Sequence, residues 1–178
     1  MLLASIGMSS GCALSSRQRV LVAAPSSTLQ LLNGGQVVYT LLTFDLSTVP
    51  EWREHRGRLA GVTELTLMGD FQNPAAPPPF TEPSADVQIW LYPDGTGAVL
   101  PPGPAVQVWE PLHLEVDQAH RVDWNEGERR LLATRGDLRR EILGDGLFSL
   151  AVVSVPTLTG APGATFTNFR LGAVLEIR

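Results

Sequence analysis

The chain has 178 residues, of which 44% are hydrophobic, and its 13 basic and 18 acidic residues give a formal net charge of −5. A chain of this length can bury one core without disulfides or metal, but it lacks the excess of cations that binding to a phosphate backbone requires. These values favour a single folded domain. They exclude a protein that binds nucleic acid strongly without regard to base sequence.

The first residues carry a pattern typical of export. Residues 1–8 (MLLASIGM) are mostly apolar and run into Ser9-Ser10-Gly11-Cys12, which contains the only cysteine of the chain. This segment resembles the end of a bacterial lipoprotein signal peptide, in which small residues precede a lipid-modified cysteine. The resemblance implies a lipid anchor at Cys12 as the only membrane contact, and a location in the cell envelope or outside the cell. The alternative is a disordered arm with a chance cysteine. On both interpretations residues 1–27 lie outside the domain, which is predicted to span residues 28–178.

The domain opens with a predicted hairpin. Apolar runs at residues 28–32 and 36–46 flank Asn33-Gly34-Gly35, whose positive-φ preference suits a tight turn.

A short helix is predicted next, over residues 50–59, because Thr48 and Glu51 have the spacing of a capping box. Trp52 of this helix is expected to cover one end or edge of the sandwich. Residues 62–71 then form a predicted strand with one buried and one solvated face.

Proline-rich segments at residues 72–84 and 100–104 are predicted to be loops, because proline lacks the N–H group that a strand ladder uses. Between them lies a strand at residues 86–92, which ends at the turn Pro93-Asp94-Gly95. Residues 106–117 alternate again and predict one further strand.

The last third of the chain mixes strands with one helical segment. Residues 120–134 are interpreted as a hairpin around the turn Asn125-Glu126-Gly127, and Asp137 is expected to cap one or two helical turns that end at residue 143. Residues 147–155 are nearly all apolar, which predicts a central strand buried on both faces. Residues 165–178 close the domain as a strand.

These elements amount to about eight to ten strands joined by turns and loops, a number that two stacked sheets accommodate. The predicted fold class is an all-β antiparallel sandwich, jelly-roll or immunoglobulin-like, with one or two short helices.

The titratable residues offer two kinds of candidate site. His113 and Glu115 share one strand face with His120 nearby, a combination compatible with zinc, but a solvated strand face explains the same residues. Carboxylates could also pair for glycoside hydrolysis, although sequence spacing in an all-β chain does not show such a pair. We therefore predict no catalytic residue, metal or cofactor. The carboxylates considered are Asp45, Glu64, Asp70, Asp86, Glu110, Glu115, Asp123 and Glu126.

The aromatic residues suggest a binding face. Trp90 and Tyr92 share the polar face of one strand and Trp109 lies on another, and exposed rings of this kind stack on sugars or protein partners. The alternative is that loops fold over the rings and bury them.

Three functions remain open from the sequence. The first is a non-catalytic structural or binding module of the cell envelope or extracellular space, possessing a lipid anchor if Cys12 is processed, with a protein or glycan as partner. The second is a virion or filament subunit that uses residues 1–27 as an arm to reach a neighbour. The third is a carbohydrate-binding jelly roll that uses Trp90, Tyr92 and Trp109.

Overall fold

The computed structural model describes residues 16–24, 28–31, 38–74, 84–93, 105–156 and 163–178. Three short α-helices occur in these ranges: α1 (Pro50–His55), α2 (Trp124–Arg129) and α3 (Arg135–Leu143). The strands in the same ranges are β1 (Ser16–Ala23), β2 (Thr28–Leu31), β3 (Val38–Asp45), β4 (Leu59–Gln72), β5 (Ala85–Pro93), β6 (Val106–Gln107), β7 (Leu112–Leu114), β8 (Ala119–Val122), β9 (Leu147–Pro156) and β10 (Thr165–Ile177).

The strands form two antiparallel sheets. One has four strands in the order β1-β10-β4-β8, and the other has the order β2-β3-β9-β5-β6, with β7 also paired to β5. The predicted all-β antiparallel sandwich with short helices is therefore confirmed.

The strand pairs are nested along the chain: β1 pairs with β10, β3 with β9, β4 with β8, and β5 with β6. The nested pairs together form one long antiparallel two-stranded ribbon. The ribbon folds over so that β10 also lies beside β4, and β9 beside β5. The result is the double Greek key of a jelly roll. An immunoglobulin-like sandwich has the sheet orders ABED and CFG instead, which this nested pairing does not produce.

The core lies between the two sheets. The alternation predicted for β5 is confirmed, because Val87, Ile89 and Leu91 are all buried in one large apolar cluster. The central position predicted for residues 147–155 is confirmed as well, since β9 lies between β3 and β5 and is buried along most of its length. On β10, the residues that face this cluster are Phe169, Leu171, Ala173 and Leu175.

The domain boundary predicted at residue 28 is wrong, because β1 already belongs to the sandwich. Its eight residues pair in continuous register with β10, from Ser16 opposite Ile177 to Ala23 opposite Arg170. Val20 is buried in the core. Residues 16–23 therefore form a structural strand and are not part of an arm.

The hairpin predicted at residues 120–134 is also wrong in its second half. The residues interpreted as a turn lie inside helix α2, whose start is capped by the Asp123 side chain accepting from Glu126 N. Gly127 packs against β4, where an added Cβ would lie 2.2 Å from Leu67 O. The glycine that suggested a turn therefore permits a close helix-to-sheet contact instead.

The helix after β3 is present, but the predicted capping box is not. Val49 occupies the N-cap without a side-chain hydrogen bond, and Thr48 Oγ1 donates to Asp45 O at 2.7 Å. Pro50 suits the first helical position because its missing N–H needs no partner there. Trp52 is buried in the core, and its Nε1 donates to Ile142 O at 2.8 Å.

Two further segments differ from the predictions. Residues 106–117 form the two short strands β6 and β7, between which Trp109 makes an isolated bridge with Leu131. The helical turns predicted from Asp137 are longer, because α3 begins at Arg135 with Thr134 as its N-cap.

Some predictions fall, in whole or in part, outside the described residues. They are the lipidation site Cys12, the turns Asn33-Gly34-Gly35 and Pro93-Asp94-Gly95, and the proline-rich loops at residues 72–84 and 100–104.

Candidate binding groove

The three aromatic rings predicted to form a binding face do not lie together. Tyr92 is buried on the outer face of the six-stranded sheet, in a second apolar cluster with Tyr39, and Trp90 packs partly buried against it. Trp109 lies on the opposite side, fully buried in the main core, where its ring stacks on Phe71 with centroids 5.6 Å apart. The set is therefore divided between the outer face of the six-stranded sheet and the main core.

The two histidines that the sequence makes compatible with zinc are likewise separated, because His113 lies on β7 of one sheet and His120 on β8 of the other. His113 Nδ1 contacts Asp86 Oδ1 at 2.7 Å and its Nε2 contacts Glu115 Oε1 at 3.3 Å. The hydrogen bond with Asp86, together with that to Glu115, raises the pKa of His113 above its ordinary value of 6.5. Within the ranges that the structure describes, no group of His, Cys, Asp or Glu side chains is arranged to hold a metal ion.

A second polar cluster ties β8 to α2. His120 Nε2 and Arg130 Nε each lie 2.9 Å from Glu126 Oε1. Burial disfavours the ionised form of Glu126, but the hydrogen bonds from Arg130 and His120 outweigh it and hold the pKa of this carboxyl below its ordinary value of 4.5. The arrangement is a structural clamp on one side of the four-stranded sheet.

The outer face of the four-stranded sheet carries an open groove of about 370 Å³. Strands β1, β4, β8 and β10 all contribute to it, together with the start of α2. Its volume lies within the range of small-molecule sites, about 300–1,000 Å³. We call this feature the outer groove.

One side of the outer groove is apolar. Leu21 of β1 is 51% exposed and lines the groove with Met68 and Trp124. The Trp124 ring lies directly on β10, where a Cβ added to Gly172 would be 2.5 Å from Trp124 Cζ3. The Arg19 guanidinium lies 4.3 Å from the centroid of the Trp124 ring. The ring thus lies between β10 and a surface arginine.

Trp124 is positioned by the way in which α2 begins. Asp123 caps the helix through Glu126 N, and Thr66 Oγ1 donates to Trp124 O at 2.9 Å. Thr66 is fully buried, so the face of β4 that was predicted to be solvated is partly covered by the helix. The aromatic wall of the groove therefore depends on a contact between α2 and β4.

The polar residues of the outer groove carry both signs of charge. Asp70 Oδ2 accepts from Asn168 Nδ2 at 2.7 Å, and Asp70 Oδ1 lies 3.8 Å from Arg121 Nε. Among the described residues, the Arg170 guanidinium makes no ion pair or hydrogen bond. Asp123 lines the same groove. The groove therefore presents both hydrogen-bond donors and hydrogen-bond acceptors on one surface.

A bulge in β10 places two of these residues. The pairing of β10 with β4 shifts register between Thr167 and Arg170, and Asn168 adopts a left-handed φ of 53°, which asparagine tolerates better than most residues. Beyond the bulge lies a second recess of about 270 Å³, which shares Asn168 and Arg170 with the outer groove and includes Phe166. The bulge is thus a ridge between two adjoining recesses.

No protein-family model matches the chain, and no curated protein matches it. In the part of the chain that the structure describes, no helix has the length and apolarity needed to cross a membrane.

Sequence reasoning missed the outer groove as a site. The sequence indicates Asp70 and Asp123 only as candidate catalytic carboxylates, and Arg170 and Asn168 give no local signal. The one available signal was Asp123 followed by Glu126, the N-cap pattern that starts α2 and directs Trp124 onto the sheet.

Proposed function

We propose that the chain is a non-catalytic binding module of the bacterial cell envelope or extracellular space, with a lipid anchor at Cys12. The binding role rests on the outer groove, in which an aromatic wall adjoins charged groups of both signs. The location rests on the residues Ser9-Ser10-Gly11-Cys12 and their resemblance to a lipoprotein signal.

The arrangement of the groove supports binding more than catalysis. Asp70 is held by Asn168 and Asp123 is occupied in capping α2, so both carboxylates have fixed positions. Fixed side chains of this kind orient a ligand through hydrogen bonds. Arg170, which is exposed, remains available to a ligand.

The binding role is tested with purified protein and isolated envelope material that contains cell wall and its attached polysaccharide. The variant Asp70→Asn/Arg170→Gln removes one charge of each sign from the groove, and Arg53→Gln/Glu54→Gln makes the same change at exposed positions of α1. We expect the parent and the α1 variant to sediment with the material, and the groove variant to bind about tenfold more weakly. Equal sedimentation of all three proteins would reject the groove as the binding site.

The location is tested by mass spectrometry of the protein purified from its native cells. We expect the mature chain to begin at a diacylglycerol-modified Cys12 and to partition with membranes, and Cys12→Ser to remain unprocessed. A native chain that begins at Met1 with an unmodified Cys12 rules out the lipoprotein form.

Assembly is the second candidate function, and one observation favours it. Among the described strands, β1 pairs only with β10, so its other edge has no partner strand among them, and Leu21 on this strand is 51% exposed. Open edges with apolar side chains pair readily with other chains. Size-exclusion chromatography of the full chain and of a chain lacking residues 1–15 tests this candidate. If both elute as monomers at high concentration, assembly through the arm is rejected.

A further inference from the structure

The charges of the outer groove restrict the chemistry of its ligand. An anion placed near Arg121 and Arg170 would also meet Asp70 and Asp123, and a cation near the two carboxylates would meet the two arginines. Neighbouring hydroxyl groups both donate and accept hydrogen bonds. A neutral polyhydroxylated ligand therefore satisfies the carboxylates and the guanidinium groups together.

The apolar wall suits the same class of ligand. The C–H face of a sugar ring is apolar, whereas its edge carries hydroxyl groups, and tryptophan pairs with such surfaces through its large, flat ring. Leu21 and Met68 extend the apolar area beside Trp124. The contact of Arg19 with the Trp124 ring is at the surface, where cation–π contacts are weak. A sugar ring can therefore replace the Arg19 guanidinium.

The length of the ligand follows from the second recess. Asn168 and Arg170 line both recesses, so a ligand that contacts them from the outer groove continues past the β10 bulge towards Phe166. A single sugar would occupy one recess only. A chain of sugars would place successive units on both sides of the bulge.

We propose that the outer groove binds a neutral saccharide chain, with Asp70 and Arg170 as its main hydrogen-bonding residues and Trp124 as its apolar platform. This inference rests on the binding role proposed above and assigns the class of ligand.

The first test uses the same envelope material after two treatments. Periodate cleaves vicinal diols and leaves most protein backbones intact, whereas a broad-specificity protease does the reverse. We expect groove-dependent sedimentation to disappear after periodate and to survive the protease. If sedimentation survives periodate and is lost after protease, the ligand is not a saccharide. The proposed binding role of the groove would still stand. Equal sedimentation of the groove variant and the parent on untreated material rejects both proposals.

The second test determines which ligand charge and which chain length the groove prefers. It uses isothermal titration calorimetry with defined probes. Neutral mono- and oligosaccharides of glucose and mannose are compared with polygalacturonate and inorganic phosphate. We expect binding to a neutral oligosaccharide that strengthens with chain length and that weakens about tenfold in both Asp70→Asn and Arg170→Gln, but not in Arg53→Gln/Glu54→Gln. Binding to polygalacturonate or phosphate that strengthens in Asp70→Asn would show an anion site and overturn the proposal, as would failure of every neutral saccharide to bind.

Discussion

Glu126 shows how one side chain can join two elements of this fold. Its carboxylate receives hydrogen bonds from His120 on β8 and from Arg130 at the end of α2. The side chain is only 20% exposed, so water screens these bonds less than it would at an open surface. The clamp holds α2, and with it the Trp124 wall of the outer groove, against the four-stranded sheet.

Stability is therefore expected to depend on pH through Glu126. Because the folded-state pKa of Glu126 lies below its ordinary value of 4.5, the stabilisation is present above that value and is lost as pH falls through the folded-state pKa. We expect Glu126→Gln to lower the free energy of unfolding by about 1 kcal/mol at neutral pH and to have a much smaller effect in strong acid. Urea unfolding of parent and variant at both pH values measures this, with Glu54→Gln as the exposed control. An equal difference at the two pH values would contradict it.

At the scale of elements, the contact between α2 and β4 depends on the absence of a side chain at Gly127. A Cβ there would lie 2.2 Å from Leu67 O and 2.4 Å from Thr66 Oγ1. Gly136 of α3 is a matched contrast, because a Cβ added there would meet nothing within 4 Å. Alanine substitutions at these two glycines therefore distinguish the effect of close packing from the effect of helix propensity.

We expect Gly127→Ala to destabilise the protein by about 1–3 kcal/mol, because α2 must move away from β4 to make room. Gly136→Ala is expected to be neutral or to stabilise by up to about 1 kcal/mol, the usual preference of a helix for alanine. Urea unfolding, followed by tryptophan fluorescence, measures both. If the two variants have the same stability, the close approach of Gly127 to β4 is not a constraint.

The sequence predicts the secondary structure of elements that are determined by local alternation of apolar and polar residues. It does not predict helix α2. In β5, every second residue is apolar and faces the core, so the pattern determined both the strand and its buried face. In residues 123–129, Asn125-Glu126-Gly127 matches a turn locally, but the Asp123 cap and the contact with β4 stabilise a helix. Tertiary packing therefore overrides the local signal there.

The candidate site was less predictable than the fold for a related reason. The outer groove combines residues from four strands and one helix. Its charged residues come from separate segments of the chain, so no local sequence pattern brings them together. The sequence predicts correctly that Trp90 and Tyr92 lie on the same face of their strand. A shared face does not determine whether the rings are exposed to solvent. Tyr92 is 1% exposed and Trp109 is fully buried.

At the scale of the whole molecule, β1 completes the four-stranded sheet. It covers one edge of β10 along eight residues and buries Val20 in the core, with Val22 packed against it. The predicted boundary at residue 28 would have discarded this strand.

Deleting residues 1–23 is expected to lower the free energy of unfolding by more than about 3 kcal/mol, because the core loses Val20 and the partly buried Val22 that packs against it, and the β10 edge loses its partner strand. A chain lacking only residues 1–15 retains all of β1 and should keep its stability to within about 1 kcal/mol. Urea unfolding compares both with the full chain. Similar stability of the two shortened chains would show that β1 contributes little.

Nested pairing also governs when the domain can form during its synthesis. The ribosome makes β1 before any other strand of its sheet, whereas the segment that neighbours it, β10, emerges only after all the intervening strands. At about 5–20 residues per second, the first strand waits roughly ten seconds or more for its neighbour. During that interval the first strand has no partner in its own sheet, and unpaired strand edges are prone to associate with other chains.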